Sequence, residues 1–336
     1  MPRLLVEHLV LHADDFGLND AVNDGILQGF ADGLLTSTSV LANAPSAATA
    51  LARWRVLQQD LSAGNLPSSP LRRRLGDRAA PFDLGVHLNL TQGRPLTGGG
   101  YPEQLLDDAG GFPGIGRVFR QLLRFGNRLR DPILAELSAQ IERVRDQGAS
   151  LTHLNGHQYI ELVPAVTDVI PVLLERFAIP RVRVALEPRL ASNVLLPSGN
   201  VFGLSLGMVK RFFARRFLRR MTAAGALFPG AFHGTCHAGR VDLAVMRRFL
   251  SRPSSSLWTE VGLHPGCEVP ADCLSNGTDG WSDPLARLRQ HELQMLTSPE
   301  LGELLIARRV RLGRLSLLKH ATNSRPELAS RSIVSR

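Results

Sequence analysis

Apolar residues cluster in short runs separated by amphipathic stretches, and the two patterns alternate. Residues 4–13 are mostly apolar and predict a buried strand; the polar turn Asp14-Asp15-Phe16-Gly17 predicts a loop after it. Asn19 or Asp20 can cap a helix running to Asp32-Gly33. Further strands are predicted at 35–41, 83–90, 152–154, 181–185, 231–236 and 256–263. Helices are predicted at 45–57, 117–129, 132–148, 164–177 and 284–309. The stretches 61–81 and 91–116, rich in Pro, Gly, Ser and Arg, read as loops, and the last twenty or so residues as frayed. Strands alternating with helices predict one parallel α/β domain, with chemistry gathered where strands end.

Composition narrows the class. The chain has 336 residues, 44% hydrophobic and 21% charged, which is ordinary for a globular protein. Cys236, Cys267 and Cys273 are odd in number and contain no Cys-x-x-Cys, so a disulfide framework and a thiolate zinc site are both excluded. No run approaches the ~18 apolar residues of a membrane-spanning helix, and Glu7 and His8 interrupt any secretory core near the start. The expected location is cytoplasmic.

The net charge of +9 is unevenly placed. Residues 188–241 carry eight Lys or Arg and no acid; residues 306–336 carry eight more against Glu327 alone, so the remainder is acidic. Because that remainder holds the candidate chemistry, the basicity is not the footprint of a nucleic-acid enzyme. Within the basic region, residues 208–221 on a helix place Phe213, Ala214, Phe217, Leu218 and Met221 on one face and Arg211, Arg215, Arg216, Arg219 and Arg220 on the other. Lys210 and Phe212 break the pattern. Two readings stand: a packed helix with a solvated basic face, or a helix resting on an anionic membrane or substrate.

Four clusters can carry chemistry. Asp14 and Asp15 end a buried strand side by side, and two adjacent carboxylates in a low-dielectric pocket are costly unless a cation relieves them. Otherwise the pair caps the next helix. His87 lies in Asp83-Leu-Gly-Val-His-Leu-Asn-Leu, where a core histidine is the plainer reading. His153 and His157 follow a short strand, with Gly156 opposing a helix that would align them. His264 is placed at a strand end by Pro265 and Gly266. One carboxylate with two neutral imidazoles suits zinc and is compatible with magnesium or manganese, leaving positions open for water in a hydrolytic site.

The same segments carry a resemblance. Ala13-Asp-Asp-Phe-Gly-Leu, Gly33-Leu-Leu-Thr-Ser-Thr-Ser, Gly85-Val-His-Leu-Asn-Leu, Thr152-His-Leu-Asn-Gly-His and Gly262-Leu-His-Pro-Gly together resemble the YdjC-like carbohydrate deacetylases, which include chitooligosaccharide and hopanoid-associated members. The resemblance implies a distorted (β/α) barrel of the polysaccharide-deacetylase type over 1–295, with a basic amphipathic insertion near 205–222 and a helical basic tail over 296–336. It implies removal of acetyl from an N-acetylated sugar with one divalent ion, Zn2+ or Mg2+. Asp15, His87 and His157 match its metal ligands, Asp14 its base and His264 its acid, the last protonated with help from nearby carboxylates. Arg183, Asn89 and Tyr159 are expected at the substrate. Tyr159 and Glu161 stand where the family often has further histidines, so the sugar contacts differ here. Expected partners are the carbohydrate, no nucleic acid, an anionic membrane or lipid-linked acceptor, and a second copy in a homodimer. Hydrolysis of another bond, such as a phosphoester, and a binding module with a decayed site are the rival readings.

Overall fold

A computed structural model of the chain describes residues 8–65, 70–75, 81–188, 201–251, 257–269 and 280–319. Among these, seven strands form one sheet: β1 (His8–Phe16), β2 (Ser37–Val40), β3 (Asp83–Leu88), β4 (His153–Gly156), β5 (Ala231–His233), β6 (Trp258–Leu263) and β7 (Arg311–Leu312). Their order is β4-β3-β2-β1-β6-β5, with β7 beside β1, and every pairing is parallel. Residues 181–185, expected as a strand, make only single bridges, Leu154 with Val182 and Arg181 with Leu227. They link the β4 side to the stretch before β5, so the sheet curls toward a barrel, as the sequence predicts.

Strand alternation decides what fills the curl. Leu9, Leu11, Ala13, Leu84, Val86 and Leu88 point outward into the apolar core under the helices. The intervening positions, His12, Asp14, Ser37, Ser39, His87, His153, Asn155 and Glu260, form a buried polar layer. Gly85 makes room in it: a Cβ there would come within 2.4 Å of the His153 ring. The Thr36-Ser-Thr-Ser run serves this layer. Ser37 and Ser39 hydroxyls bond the two His12 nitrogens at 2.9 and 3.1 Å, and Thr38 Oγ1 donates to the Ala13 carbonyl.

Several predicted bounds shift for identifiable reasons. β1 runs on to Phe16 through the expected loop. The helix at 164–177 divides into Pro164–Thr167 and Ile170–Arg176, and the one at 284–309 into Arg289–Thr297 and Pro299–Ala307; each second piece opens with a proline in its first turn. Ser298 caps the last helix by accepting from Leu301 N–H. That helix buries Leu301 and Leu305 in the core, and β7 follows on β1. Within 61–81, helix Pro70–Arg74 buries Arg72, which donates to the Leu35 carbonyl at 2.5 Å. Cys236 and Cys267 are free; Cys273 and residues 320–336 lie outside the described residues.

The basic segment is the inner part of helix Val201–Ala223. Ala214, Phe217 and Met221 are fully buried, while Arg215, Arg216, Arg219 and Arg220 are exposed. One face of the helix is thus packed and the basic face is exposed. Arg216 and Arg220 lie 3.7 and 3.8 Å from the exposed Asp168 carboxylate, pairs that contribute little to stability. Among the described residues no helix is long and apolar enough to cross a membrane.

Candidate active site

The site forms where β1, β3, β4 and β6 end. In a regular strand Asp14 and Asp15 would face opposite sides. Instead the register of β1 against β2 shifts between Ala13 and Phe16, and Asp15 adopts φ 68°. Left-handed backbone at a non-glycine residue costs about 1–3 kcal/mol and concentrates at functional sites. Here it brings both carboxylates to one cavity of about 330 Å³, lined also by His87, His157, Tyr159, His264 and Arg289. Gln158 and Tyr159, just after β4, are left-handed too, at φ 52° and 61°.

Asp15, His87 and His157 each turn a ligand atom to one point, all within 4.8 Å of one another. Asp15 Oδ1 lies 3.1 Å from His157 Nδ1 and 3.5 Å from His87 Nε2. Metal–donor bonds of about 2.0–2.1 Å in tetrahedral geometry place donors about 3.3 Å apart, so the two separations from Asp15 suit a zinc-sized ion. His87 Nδ1 lies 3.0 Å from Asn155 Oδ1; donation there leaves Nε2 free for an ion. Asp15 Oδ2 accepts from Arg289 Nη2 at 2.8 Å, which assigns the two oxygens different tasks. Asp283 braces Arg289 through its Nε and Nη2 at 2.8 and 2.9 Å.

Asp14 has other company. Oδ2 accepts from Arg183 Nη1 at 2.6 Å; Oδ1 accepts from Asn155 Nδ2 at 2.9 Å and lies 3.2 Å from His12 Nε2. Burial opposes ionisation of both aspartates, yet their neighbours hold each well below the usual carboxylate range: chiefly the Arg183 guanidinium for Asp14, and the Arg289 guanidinium with the His157 and His87 hydrogen bonds for Asp15. His264 Nε2 stands 3.8 Å from Asp14 Oδ2. The expectation of a protonated His264 is corrected here. Burial pushes its imidazole down to about 4, outweighing the pull of Asp15 and Asp14, so at neutral pH it rests uncharged.

Two residues expected at the substrate have protein partners here. Asn89 is fully buried: Oδ1 accepts from Thr91 N–H, Thr91 Oγ1–H and Gln92 N–H, and Nδ2 donates to Asn43 Oδ1 and the Gln92 carbonyl. Its groups are spent shaping the turn after β3. Arg183 is buried against Asp14 and Glu260, with Nε 2.6 Å from Glu260 Oε1, and positions the carboxylate without lining the cavity. Tyr159 does line it. Glu161 is fully buried with neither carboxylate oxygen hydrogen-bonded, and burial raises its carboxyl to about 7. Sequence reasoning gave no role to Asn155, Arg289 or Asp283. The alternation His153, Asn155, His157 was a usable signal for the first; Arg289 on a distant helix offered none.

Comparisons with known proteins give the chain a family. The family model for YdjC-like protein matches residues 8–307. A mouse protein named carbohydrate deacetylase is 30% identical over 304 residues, covering 87% of this chain and 89% of its own. A Vibrio cholerae protein of the same name is 24% identical over 92% of this chain and 96% of its own. A solved Enterococcus faecalis structure, of a protein assigned to cellobiose-phosphate cleavage, superposes with a TM-score of 0.66 at 20% identity, covering 94% of this chain and all of that one. With a buried Asp-His-His cluster at the strand ends of a curled parallel sheet, and a family match across nearly its whole length, the chain belongs to the YdjC-like family.

Proposed function

We propose that the protein hydrolyses the acetamide of an N-acetylated sugar, releasing acetate, and that the reaction depends on one divalent ion. The convergence of Asp15, His87 and His157 on one point carries the reading, together with relatives named carbohydrate deacetylase. Two imidazoles and one carboxylate suit Zn2+ better than Mg2+, which prefers oxygen donors. Bound there, the ion would polarise the amide carbonyl and make water a better nucleophile.

The chain's own groups manage the protons. Asp14 Oδ2 accepts a proton from water as its oxygen attacks the carbonyl carbon. Because Arg183 keeps Asp14 strongly acidic, the proton does not stay there. Neutral His264, 3.8 Å away, receives it and delivers it to nitrogen as the C–N bond breaks, so acetate and a free amine leave. Resting neutrality of His264 is thus a requirement of the relay. Arg183 keeps Asp14 aimed, and Asn155 ties Asp14 to His87 so that base and ligand move together. The experiment is an assay of the metal-loaded protein for free acetate and free amine on N-acetylglucosamine oligomers. Acetate and amine in equal amounts support the reading; phosphate release from phosphoesters with no acetate from any N-acetylated sugar overturns it.

A further inference from the structure

Beside the metal cavity lies a second, almost wholly apolar groove of about 200 Å³. Phe119, Leu162, Val163, Val209 and Phe213 line it, and Ile115, Gln158, Tyr159 and Lys210 belong to both spaces. Helix Ile115–Phe125 and helix Val201–Ala223 form its walls, meeting edge to face at Phe119 and Phe213, 5.4 Å apart. At its outer end large apolar groups stand in solvent: Val209 is 48% exposed and Phe212, packed on Phe213, 68%.

Lys210 marks the junction. Its ammonium sits 4.2 Å above the Tyr159 ring centroid and makes no hydrogen bond or ion pair among the described residues. A partly buried ammonium with a ring as its main partner is under-compensated, since a cation–π contact recovers only part of what dehydration costs. Burial makes its charge costly, and Cys236, Glu161 and Glu187 offset that only in part. An apolar groove gives a hydroxyl-rich sugar nothing to bond, whereas a hydrocarbon gains by leaving water there.

We propose that this groove is a second substrate subsite, which takes the hydrocarbon part of an amphiphilic N-acetylated sugar while Lys210 holds an anionic linker between hydrocarbon and sugar. The proposal rests on the deacetylase reading for what happens at the metal cavity, and on the groove alone for what binds beside it. The acetamide then lies over Asp14 and Asp15, the linker crosses Tyr159, and the chain runs out between the two helices toward Phe212.

Calorimetric titration of the metal-loaded full chain tests it with four soluble probes: the octyl phosphodiester of N-acetylglucosamine 1-phosphate, octyl N-acetylglucosaminide, N-acetylglucosamine 1-phosphate and di-N-acetylchitobiose. The octyl phosphodiester should bind about tenfold tighter than either octyl glycoside or sugar phosphate. Lys210→Met should erase only the gain due to phosphate, and Lys210→Arg should keep it. Phe213→Ser should erase only the gain due to the octyl chain, and Phe213→Leu should keep it. In turnover, Lys210→Met and Phe213→Ser should raise KM for the octyl phosphodiester, and Phe213→Ser should leave kcat on di-N-acetylchitobiose unchanged. Equal affinity for all four probes, or gains that survive both variants, would overturn the subsite. Failure to release acetate from every probe, with both binding gains intact, would instead overturn the deacetylase reading and leave the subsite standing.

Discussion

Asp14 and Asp15 are consecutive and chemically identical, yet they sit in two differently built regions. Around Asp14 the polar layer is closed: Arg183, Asn155 and His12 occupy both oxygens, and Glu260 shares the arginine. Around Asp15 it is open on one side. Arg289 takes one oxygen, and the other faces two imidazoles across a gap sized for an ion. The first arrangement keeps a carboxylate ionised and ready to pass a proton on; the second leaves a ligand set short of a central charge. One bulge and one left-handed residue produce the difference by turning neighbours into the same cavity.

Changes on the Asp14 side should harm turnover and stability while sparing the ion. Asp14→Asn should lower kcat by about a hundredfold to ten-thousandfold, measured as acetate release, with metal content unchanged. Arg183→Met leaves Asp14 and Glu260 buried without their cation. Urea unfolding at neutral pH should show a loss of about 3–5 kcal/mol. Asn155 touches both regions, so Asn155→Leu should blur the contrast by weakening Zn2+ affinity about 10–100-fold, read by competition with a chelating dye.

The smallest effect probes a group outside either region. The Glu161 carboxyl sits at about 7 in the folded chain and about 4.3 unfolded, so the folded state binds more protons between those values. Its contribution to stability is full below the unfolded value and is lost as pH rises through about 7. Glu161→Gln should therefore stabilise the protein at pH 8 and leave stability unchanged at pH 4, by thermal or urea melts at both pH values. The same gain at both would show that titration of Glu161 is not the cause.

Much of this was legible in sequence because strand ends carry it. A two-residue period with polar intruders, His12 and Asp14 in β1 or His87 in β3, marks positions facing inward, and the segments quoted for the family resemblance hold all three residues of the ion-sized cluster. What periodicity misses is partnership. Asn89 was expected at the substrate from the family resemblance, but a short polar side chain just after a strand can be consumed by its own turn. Arg183 was expected at the substrate from the family resemblance, and two buried carboxylates hold it. Carboxylates near His264 suggested a cation, and burial reversed that balance. Lys210 broke the amphipathic pattern of its helix because it faces the cavity over Tyr159.

The central claim is that Asp15, His87 and His157 share one divalent ion while Asp14 does not. Metal-depleted full-length protein, titrated with Zn2+ by calorimetry, tests it most directly. The account predicts one equivalent bound by the unaltered chain and by Asp14→Asn, and none at the same concentrations by Asp15→Ala or His87→Ala. Binding that survives Asp15→Ala and His87→Ala, or a folded, unaltered chain that takes up no ion, would contradict it.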